Sequence, residues 1–351
     1  MNSDHGRRFG PDFVAEQLRR YQDKPPERRA LSYDITVGEE YEPWRDWLDG
    51  QIAMLPDTAA ATFAAKLWQD QHFWPGVIEL GVGAALRATD HRVEYEQTWD
   101  GLTPDWTVLR KDGRPLALVE VLTDSPSQAL YGQVRAWHSL VERIKAIPVP
   151  VVLALAGNPS GPAVAPDART AKRITLALRR FLMSPLITAD FRIHGYHFQI
   201  QGDPRTGRLL QPPVFGAIFT PPSGLAGPVT ATALVERIDE KVRKYRVIAQ
   251  AAELPLLIAA GAHPFTGVGL QQLDHLLDGR LTTTLQFNFG DNYLGPPQDI
   301  NPSFPRRWAM PADLAGVLWI DNVYPFGATW RPNGAAARPA PEALTKQWAT
   351  R

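Results

Sequence analysis

Residues 100–124 read DGLTPDWTVLRKDGRPLALVEVLTD, and the fold prediction begins from this stretch. Two apolar, alternating runs flank the tetrapeptide KDGR at 111–114. The first run opens with Asp105, and the second reaches Glu120 after the apolar sequence LALV. An Asp-Gly pair between two such runs is a strong short-range signal for a β-hairpin. The stretch therefore predicts two antiparallel strands, each with one carboxylate.

The turn also predicts which residues of the hairpin face each other. A two-residue turn at 112–113 pairs Thr107 with Leu118, and one step further it pairs Asp105 with Glu120. Directly opposed residues share a face of the sheet, with Cβ atoms about 5 Å apart. Like charges in that position are unfavourable unless a proton or a cation lies between them. We therefore predict that the two acids bind a divalent metal with oxygen ligands, magnesium or manganese.

A structural role for these acids is the alternative. A register slip of one residue would place the two carboxylates on opposite faces of the sheet. The dipeptide Pro-Asp also occurs at 11–12, 56–57 and 166–167, so it carries little information by itself. A second Asp-Gly turn, at 100–101, would place Glu96 opposite Asp105 and extend the acidic row. Pro104 argues against that register, because proline interrupts a central ladder.

Composition limits the classes of protein that remain. The 351 residues are 44% hydrophobic, which suffices for a large core. With 37 basic and 37 acidic residues the net charge is zero, which argues against a polyanion-coating protein but permits a local basic patch. The absence of cysteine excludes disulfides, zinc–thiolate sites and thiol nucleophiles. No apolar run suits a membrane span or a secretory signal, so we expect a cytoplasmic protein without a membrane partner.

The order of predicted elements indicates the fold class. Helices come first, then an antiparallel β-meander, then alternating helices and strands, which predicts an α/β fold with a mixed sheet flanked by helices. The predicted divisions are an N-terminal arm or helical region at 1–56, an α/β core at 57–262 and a C-terminal α+β extension at 263–351. Within the core, FRIHGYHFQIQ at 191–201 is predicted to form one strand, paired through the turn DPRTG with RLLQ at 208–211.

A helix with an acid, a strand that opens with Pro-Asp, a turn and an apolar strand that ends in an acid together resemble the PD-(D/E)XK nuclease superfamily, which has the restriction-endonuclease-like fold. The matching residues are Glu79 in VIELGV, Pro104-Asp105 and Glu120-Val121-Leu122. A later K-x-x-K-Y helix, formed by Lys241, Lys244 and Tyr245, is similar to that of a divergent bacterial branch. The resemblance covers 57–155 and extends more faintly to 262.

The resemblance implies metal-dependent hydrolysis of a nucleic-acid phosphodiester, with DNA the expected substrate. Asp105, Glu120 and the Val121 carbonyl would bind magnesium, and Glu79 would act through a metal-bound water. Gln128, on the helix after the motif strand, matches a glutamine that some exonuclease-like relatives carry there. The oligomeric state is left open.

The sequence departs from the family pattern at one position. The family lysine belongs two residues after Glu120, where this chain has Leu122. Lys241 or Lys244, one helical turn apart on a later helix, could replace it, although both also suit a solvated helix face. If neither does, the alternative is a catalytically inactive nuclease-fold protein that binds nucleic acid or another protein.

Overall fold

The computed structural model describes residues 8–24, 28–30, 32–126, 128–155, 164–184, 188–203, 216–220, 230–279, 283–285, 298–300 and 306–348. Its α-helices are α1 (Pro11–Tyr21), α2 (Tyr33–Val37), α3 (Glu42–Ile52), α4 (Asp57–Leu67), α5 (Asp70–Arg87), α6 (Gln128–Lys145), α7 (Ala168–Leu182), α8 (Thr232–Ala251), α9 (Leu270–Asp278) and α10 (Glu342–Thr345). Its strands are β1 (Arg92–Tyr95), β2 (Trp106–Leu109), β3 (Pro115–Asp124), β4 (Val151–Leu155), β5 (Asp190–Ile193), β6 (Tyr196–Gly202), β7 (Ala217–Thr220), β8 (Leu256–Ala262), β9 (Thr283–Leu285), β10 (Gln298–Ile300), β11 (Leu314–Ile320) and β12 (Ala328–Pro332).

A six-stranded mixed sheet with the order β1-β2-β3-β8-β11-β12 forms the centre of the molecule. The first three strands form an antiparallel meander, β3, β8 and β11 run parallel, and β12 returns antiparallel. The parallel strands read as nearly continuous apolar runs, as expected for strands covered on both faces. The α/β class predicted from the sequence is confirmed. The last two strands come from the predicted C-terminal extension and belong to this same sheet.

Helices cover both faces of the central sheet. Ala117 and Val119 of β3 pack into the core on the α5 face, whereas Leu118 and Leu122 pack against α8. Because side chains alternate along a strand, Glu120 shares the α8 face with Leu118 and Leu122. This alternation determines which helix can reach the Glu120 carboxylate.

A second, four-stranded sheet with the order β5-β6-β4-β7 lies between β3 and α8 in the sequence and packs with α6 and α7. The prediction of a single strand at 191–201 is wrong. The chain turns at His194-Gly195, where φ is 49° and 85°, so the segment is itself the β5–β6 hairpin. A two-residue turn with positive φ at both positions favours glycine but tolerates histidine. The predicted partner RLLQ lies outside the described residues.

The β2–β3 hairpin has the predicted register in the part of the strands away from the turn. Thr107 pairs with Leu118 and Trp106 with Val119. Near the turn, however, Leu109 pairs with Pro115 instead of Leu116. The loop contains three residues, because the Arg110 N–H donates to the Arg114 carbonyl at 2.8 Å and Gly113 has a φ of 83°. A bulge between Val108 and Leu109 absorbs the extra residue and restores the predicted pairing beyond it.

The β1–β2 turn also forms as the sequence indicates. Trp99 and Leu102 exchange two backbone hydrogen bonds around Asp100-Gly101, whose φ angles are 44° and 78°. The Glu96 N–H then donates to the Asp105 carbonyl at 2.9 Å, so these two acids are opposed as the second turn predicted. Pro104 does not disturb this register, because it lies where the β1–β2 ladder is already interrupted. The interruption falls between the Trp99–Leu102 bridge and the Glu96–Asp105 pair.

Close packing of α5 on the sheet gives a testable prediction about two glycines. A Cβ at Gly83 would lie 2.5 Å from the ring of the buried Trp106, whereas one at Gly132 of α6 meets nothing within 4 Å. We expect Gly83→Ala to lower the free energy of unfolding by about 1–3 kcal/mol through overpacking. Gly132→Ala should raise it by up to about 1 kcal/mol through helix propensity. Urea unfolding measures both; equal effects would contradict the packing described.

Candidate active site

A cavity of about 450 Å³ opens between helices α4 and α5 and the ends of strands β1 and β2. Its charged and titratable lining residues are Lys66, His72, Glu79, Tyr95, Glu96 and Asp105. Glu96 occupies a left-handed backbone position with a φ of 51°, which is strained for a residue with a side chain. The cavity therefore brings Glu96 and Asp105 of the meander together with Glu79 of α5, the acid predicted on the preceding helix.

Glu79 projects from α5 toward β1, where the Tyr95 hydroxyl donates to its Oε1 at 2.6 Å. Burial raises the pKa of Glu79 to about 7, and the charges of Glu96 and Glu120 act in the same direction. The Tyr95 hydrogen bond and the charge of Lys66 oppose the shift. Glu79 is therefore a carboxyl group that exchanges protons near neutral pH.

Asp105 lies between the meander strands. Its Oδ2 accepts a hydrogen bond from the Val121 N–H at 2.6 Å. Burial raises the pKa of Asp105 to about 8, with Glu120 and Glu79 as further causes, while the Val121 hydrogen bond and Lys241 oppose the shift. The side chain remains partly exposed through the cavity. Asp105 thus interacts electrostatically with both other predicted acids.

Glu120 is only 2% exposed, on the α8 side of β3. The Lys241 ammonium of α8 donates to Glu120 Oε1. Within the described residues, Glu120 Oε2 is buried and has no hydrogen-bond partner. The nearby Tyr245 hydroxyl donates to the Thr103 carbonyl at 3.1 Å. Burial, followed by the negative charge of Glu120, raises the pKa of Tyr245. Lys241 and Tyr245 of α8 are therefore the charged and polar neighbours of Glu120.

The predicted metal-binding residues are brought together only in part. The negative charge of Glu120 raises the pKa of Asp105. Of the described residues, however, only Asp34, His138 and Glu142 offer three ligand atoms that all lie within 4.8 Å of one another. A metal in the cavity would need side-chain rotation to gain three carboxylate ligands there.

Backbone geometry places the Val121 carbonyl on the same side of β3 as Asp105. The Val121 N–H donates to Asp105, and the N–H and C=O of one strand residue point to the same side of the strand. This orientation agrees with the carbonyl role that the sequence resemblance implies.

Lys241, not Lys244, is the lysine that contacts Glu120. Lys244 is exposed, and its ammonium donates to the Tyr245 hydroxyl at 3.0 Å. The helical pattern carries a signal for this difference, because Lys241 lies three residues after the buried Ile238 and four before the buried Tyr245. Lys241 is therefore on the apolar stripe of α8, and its ammonium contacts Glu120, on the face of β3 that also carries Leu122.

One predicted residue, Gln128, and three residues that were not predicted remain to be placed. Gln128 begins α6, but its side chain lies outside the described residues. Sequence reasoning did not identify Tyr95 as the partner of Glu79, nor Lys66 and His72 as cavity residues. Their only sequence signals were ordinary strand and helix patterns, which do not indicate proximity to an acid.

No protein family, curated protein or solved structure matches this chain. Among the described residues, no helix has both the length and the apolar character needed to cross a bilayer.

Proposed function

We propose that this protein is a metal-dependent nuclease that hydrolyses phosphodiester bonds of nucleic acid, with DNA as the expected substrate. The observation that carries the proposal is the meeting of Glu79 and Asp105 at one cavity, with the charge of Glu120 acting on both. The Lys241 ammonium lies beside Glu120. The order α5, β1–β3, α8 and parallel β8 adds support, because the three acids occupy the positions expected of a PD-(D/E)XK nuclease with the restriction-endonuclease-like fold.

The donor groups suit magnesium or manganese. Raised pKa values for Glu79 and Asp105 mean that protons occupy these carboxyl groups at neutral pH when no other cation does. Hard divalent cations prefer carboxylate and carbonyl oxygens, which Asp105, Glu120 and Val121 supply. When bound, the ion would lower the pKa of a water molecule and neutralise charge on the phosphorane-like transition state.

The chain's own residues supply the remaining chemistry. Glu79, with a pKa of about 7, can exchange a proton with water at neutral pH, as a general base or acid requires. Lys241 donates a hydrogen bond to Glu120 and takes the place of the lysine missing at position 122. Lys66, exposed on the cavity wall, can attract the phosphate group.

Cleavage assays test the proposal directly. We expect magnesium-dependent cleavage of fluorescent DNA by the natural protein and at least a ~100-fold loss with Asp105→Asn or Glu79→Gln, the range for general acid–base and metal-supporting groups. Asp112→Asn is the matched control, because Asp112 is an exposed acid at the tip of the same hairpin. RNA is tested in parallel. Absence of cleavage of either nucleic acid, together with no magnesium binding by calorimetry, would overturn the proposal.

A second candidate is a nuclease-fold protein that has lost catalysis and binds nucleic acid or another protein. Leu122 at the lysine position and the engagement of Glu120 by Lys241 favour it. An exposed basic face on α7 offers phosphate contacts, and its members are Arg169, Lys172, Arg173, Arg179 and Arg180. This candidate predicts DNA binding without magnesium and the same affinity in Asp105→Asn.

A further inference from the structure

Three potential metal ligands lie together on helices α2 and α6. His138 and Glu142 are four residues apart on α6, so they share one face of the helix. Asp34 of α2 faces them, with its Oδ2 3.7 Å from His138 Nε2. One ligand atom from each of the three residues lies within 4.8 Å of the other two.

We propose that Asp34, His138 and Glu142 bind a divalent transition-metal ion of the zinc type. One imidazole nitrogen and two carboxylate oxygens are suitable ligands for zinc, whereas magnesium favours oxygen ligands alone. An ion about 2.1 Å from each atom would lie among them after small side-chain rotations. Three protein ligands leave a coordination position open to water or an exogenous ligand.

Charge and burial agree with such a site. Two carboxylates with a neutral imidazole balance the charge of one divalent ion. The side chains of His138 and Glu142 are 19% and 21% exposed, and Asp34 is 41% exposed, so the group is partly desolvated yet open to solvent. The Lys145 ammonium lies 4.0 Å from Glu142 and is 71% exposed, so this cation can withdraw into solvent when an ion binds.

The site is separate from the acidic cavity. Its ligands come from α2 and α6, whereas the cavity acids Glu79, Glu96 and Asp105 lie on α5, directly after β1 and directly before β2. The bound ion would join the N-terminal helical region to α6, and it does not depend on the proposed nuclease activity.

The sequence holds a signal for this site that a search for paired histidines does not detect. His138-x-x-x-Glu142 places a nitrogen and an oxygen ligand on one helical face with the same spacing as a histidine pair. Asp34 cannot be found from spacing, because it lies 104 residues before His138 in the sequence.

Zinc titration against a chromophoric chelator tests the proposal, with the visible absorption of bound cobalt as the second readout. We expect one ion per chain in the natural protein and in Asp105→Asn, which impairs the cavity acids. The dissociation constant should rise at least tenfold in His138→Gln and Glu142→Gln. His197→Gln is the matched control, since His197 also faces a single aspartate, Asp190, at 3.2 Å. It should bind zinc as the natural protein does.

Three results would overturn the proposal: no zinc bound by the natural protein, unchanged affinity in both ligand variants, or loss of binding in Asp105→Asn. The last result would assign the ion to the cavity. Metal-free circular dichroism melts establish that each variant is folded. If His138→Gln does not fold, Glu142→Gln decides the question, because it keeps the size of the side chain and changes only the charged ligand.

Discussion

Replacing Asp105 by asparagine is expected to stabilise the metal-free protein at pH 8. Burial and two neighbouring carboxylates raise the pKa of this group from 3.8 to about 8. Between these values the folded state holds a proton that the unfolded state has released, so stability falls as pH rises, by about 1.4 kcal/mol per pH unit for a fully shifted group. The contribution is fully present below pH 3.8 and is lost as pH rises through about 8.

The expected gain from Asp105→Asn is about 2–4 kcal/mol at pH 8, below the full value because the side chain partly faces the cavity. The amide oxygen can still accept the Val121 hydrogen bond. Urea unfolding in chelator at pH 5, 7 and 8 measures the effect: the natural protein should lose stability with pH, and the variant should lose less. Glu79, whose pKa rises from 4.5 to about 7, contributes a similar slope that remains in the variant.

Asp112→Asn is the control, because that carboxyl is exposed. Destabilisation by Asp105→Asn at pH 8 with an unchanged pH slope would show that the fold holds Asp105 ionised. Added magnesium supplies a second comparison. It should stabilise the natural protein at pH 7 and affect Asp105→Asn little, because a ligand that binds only the folded state raises its stability.

Lys241→Met is expected to cause the largest loss of stability, about 3–5 kcal/mol, because it leaves the charge of a buried Glu120 without its cation. Glu120 is 2% exposed, whereas Lys241 is 33% exposed and reaches it along the flank of α8. Methionine keeps most of the aliphatic length, so lost packing contributes little.

Lys244→Met is the matched control, since Lys244 is one turn away and exposed. It should change the free energy of unfolding by no more than about 0.5 kcal/mol. Adding Glu120→Gln to Lys241→Met should recover much of the loss, because the double variant removes both charges. Equal effects of the two lysine variants, or no recovery in the double variant, would show that the Lys241–Glu120 pair does not support the fold.

Local chemistry explains which parts of the structure could be predicted from the sequence. Two Asp-Gly turns and the alternation around them predicted the β1–β3 meander and the pairing of Thr107 with Leu118. The opposition of Glu96 to Asp105, against which Pro104 was held to argue, is nevertheless present. These features depend on residues close together in the chain, where turn geometry and side-chain spacing act directly.

The parts that were not predicted depend on distant residues. Nothing near Glu120 indicates that Lys241 will pair with it, or that β11 and β12 will complete the sheet beside β8. The metal ligands on α2 and α6 are likewise brought together only by tertiary packing. The His194-Gly195 turn is a local feature that was missed, because a His-Gly pair is a weaker turn signal than the Asp-Gly pairs of the meander.

The long excursion between β3 and β8 has a consequence for the order of folding. The chain leaves the central sheet at Asp124 and returns beside it at Leu256, after the whole four-stranded sheet. Pairing across such a separation raises contact order, so the central strands and the Lys241–Glu120 pair should form late. Loop-closure entropy grows only slowly, by about 0.6 kcal/mol for each doubling of length. Insertions or deletions within this excursion are therefore expected to cost little stability and to leave the geometry of the acids unchanged.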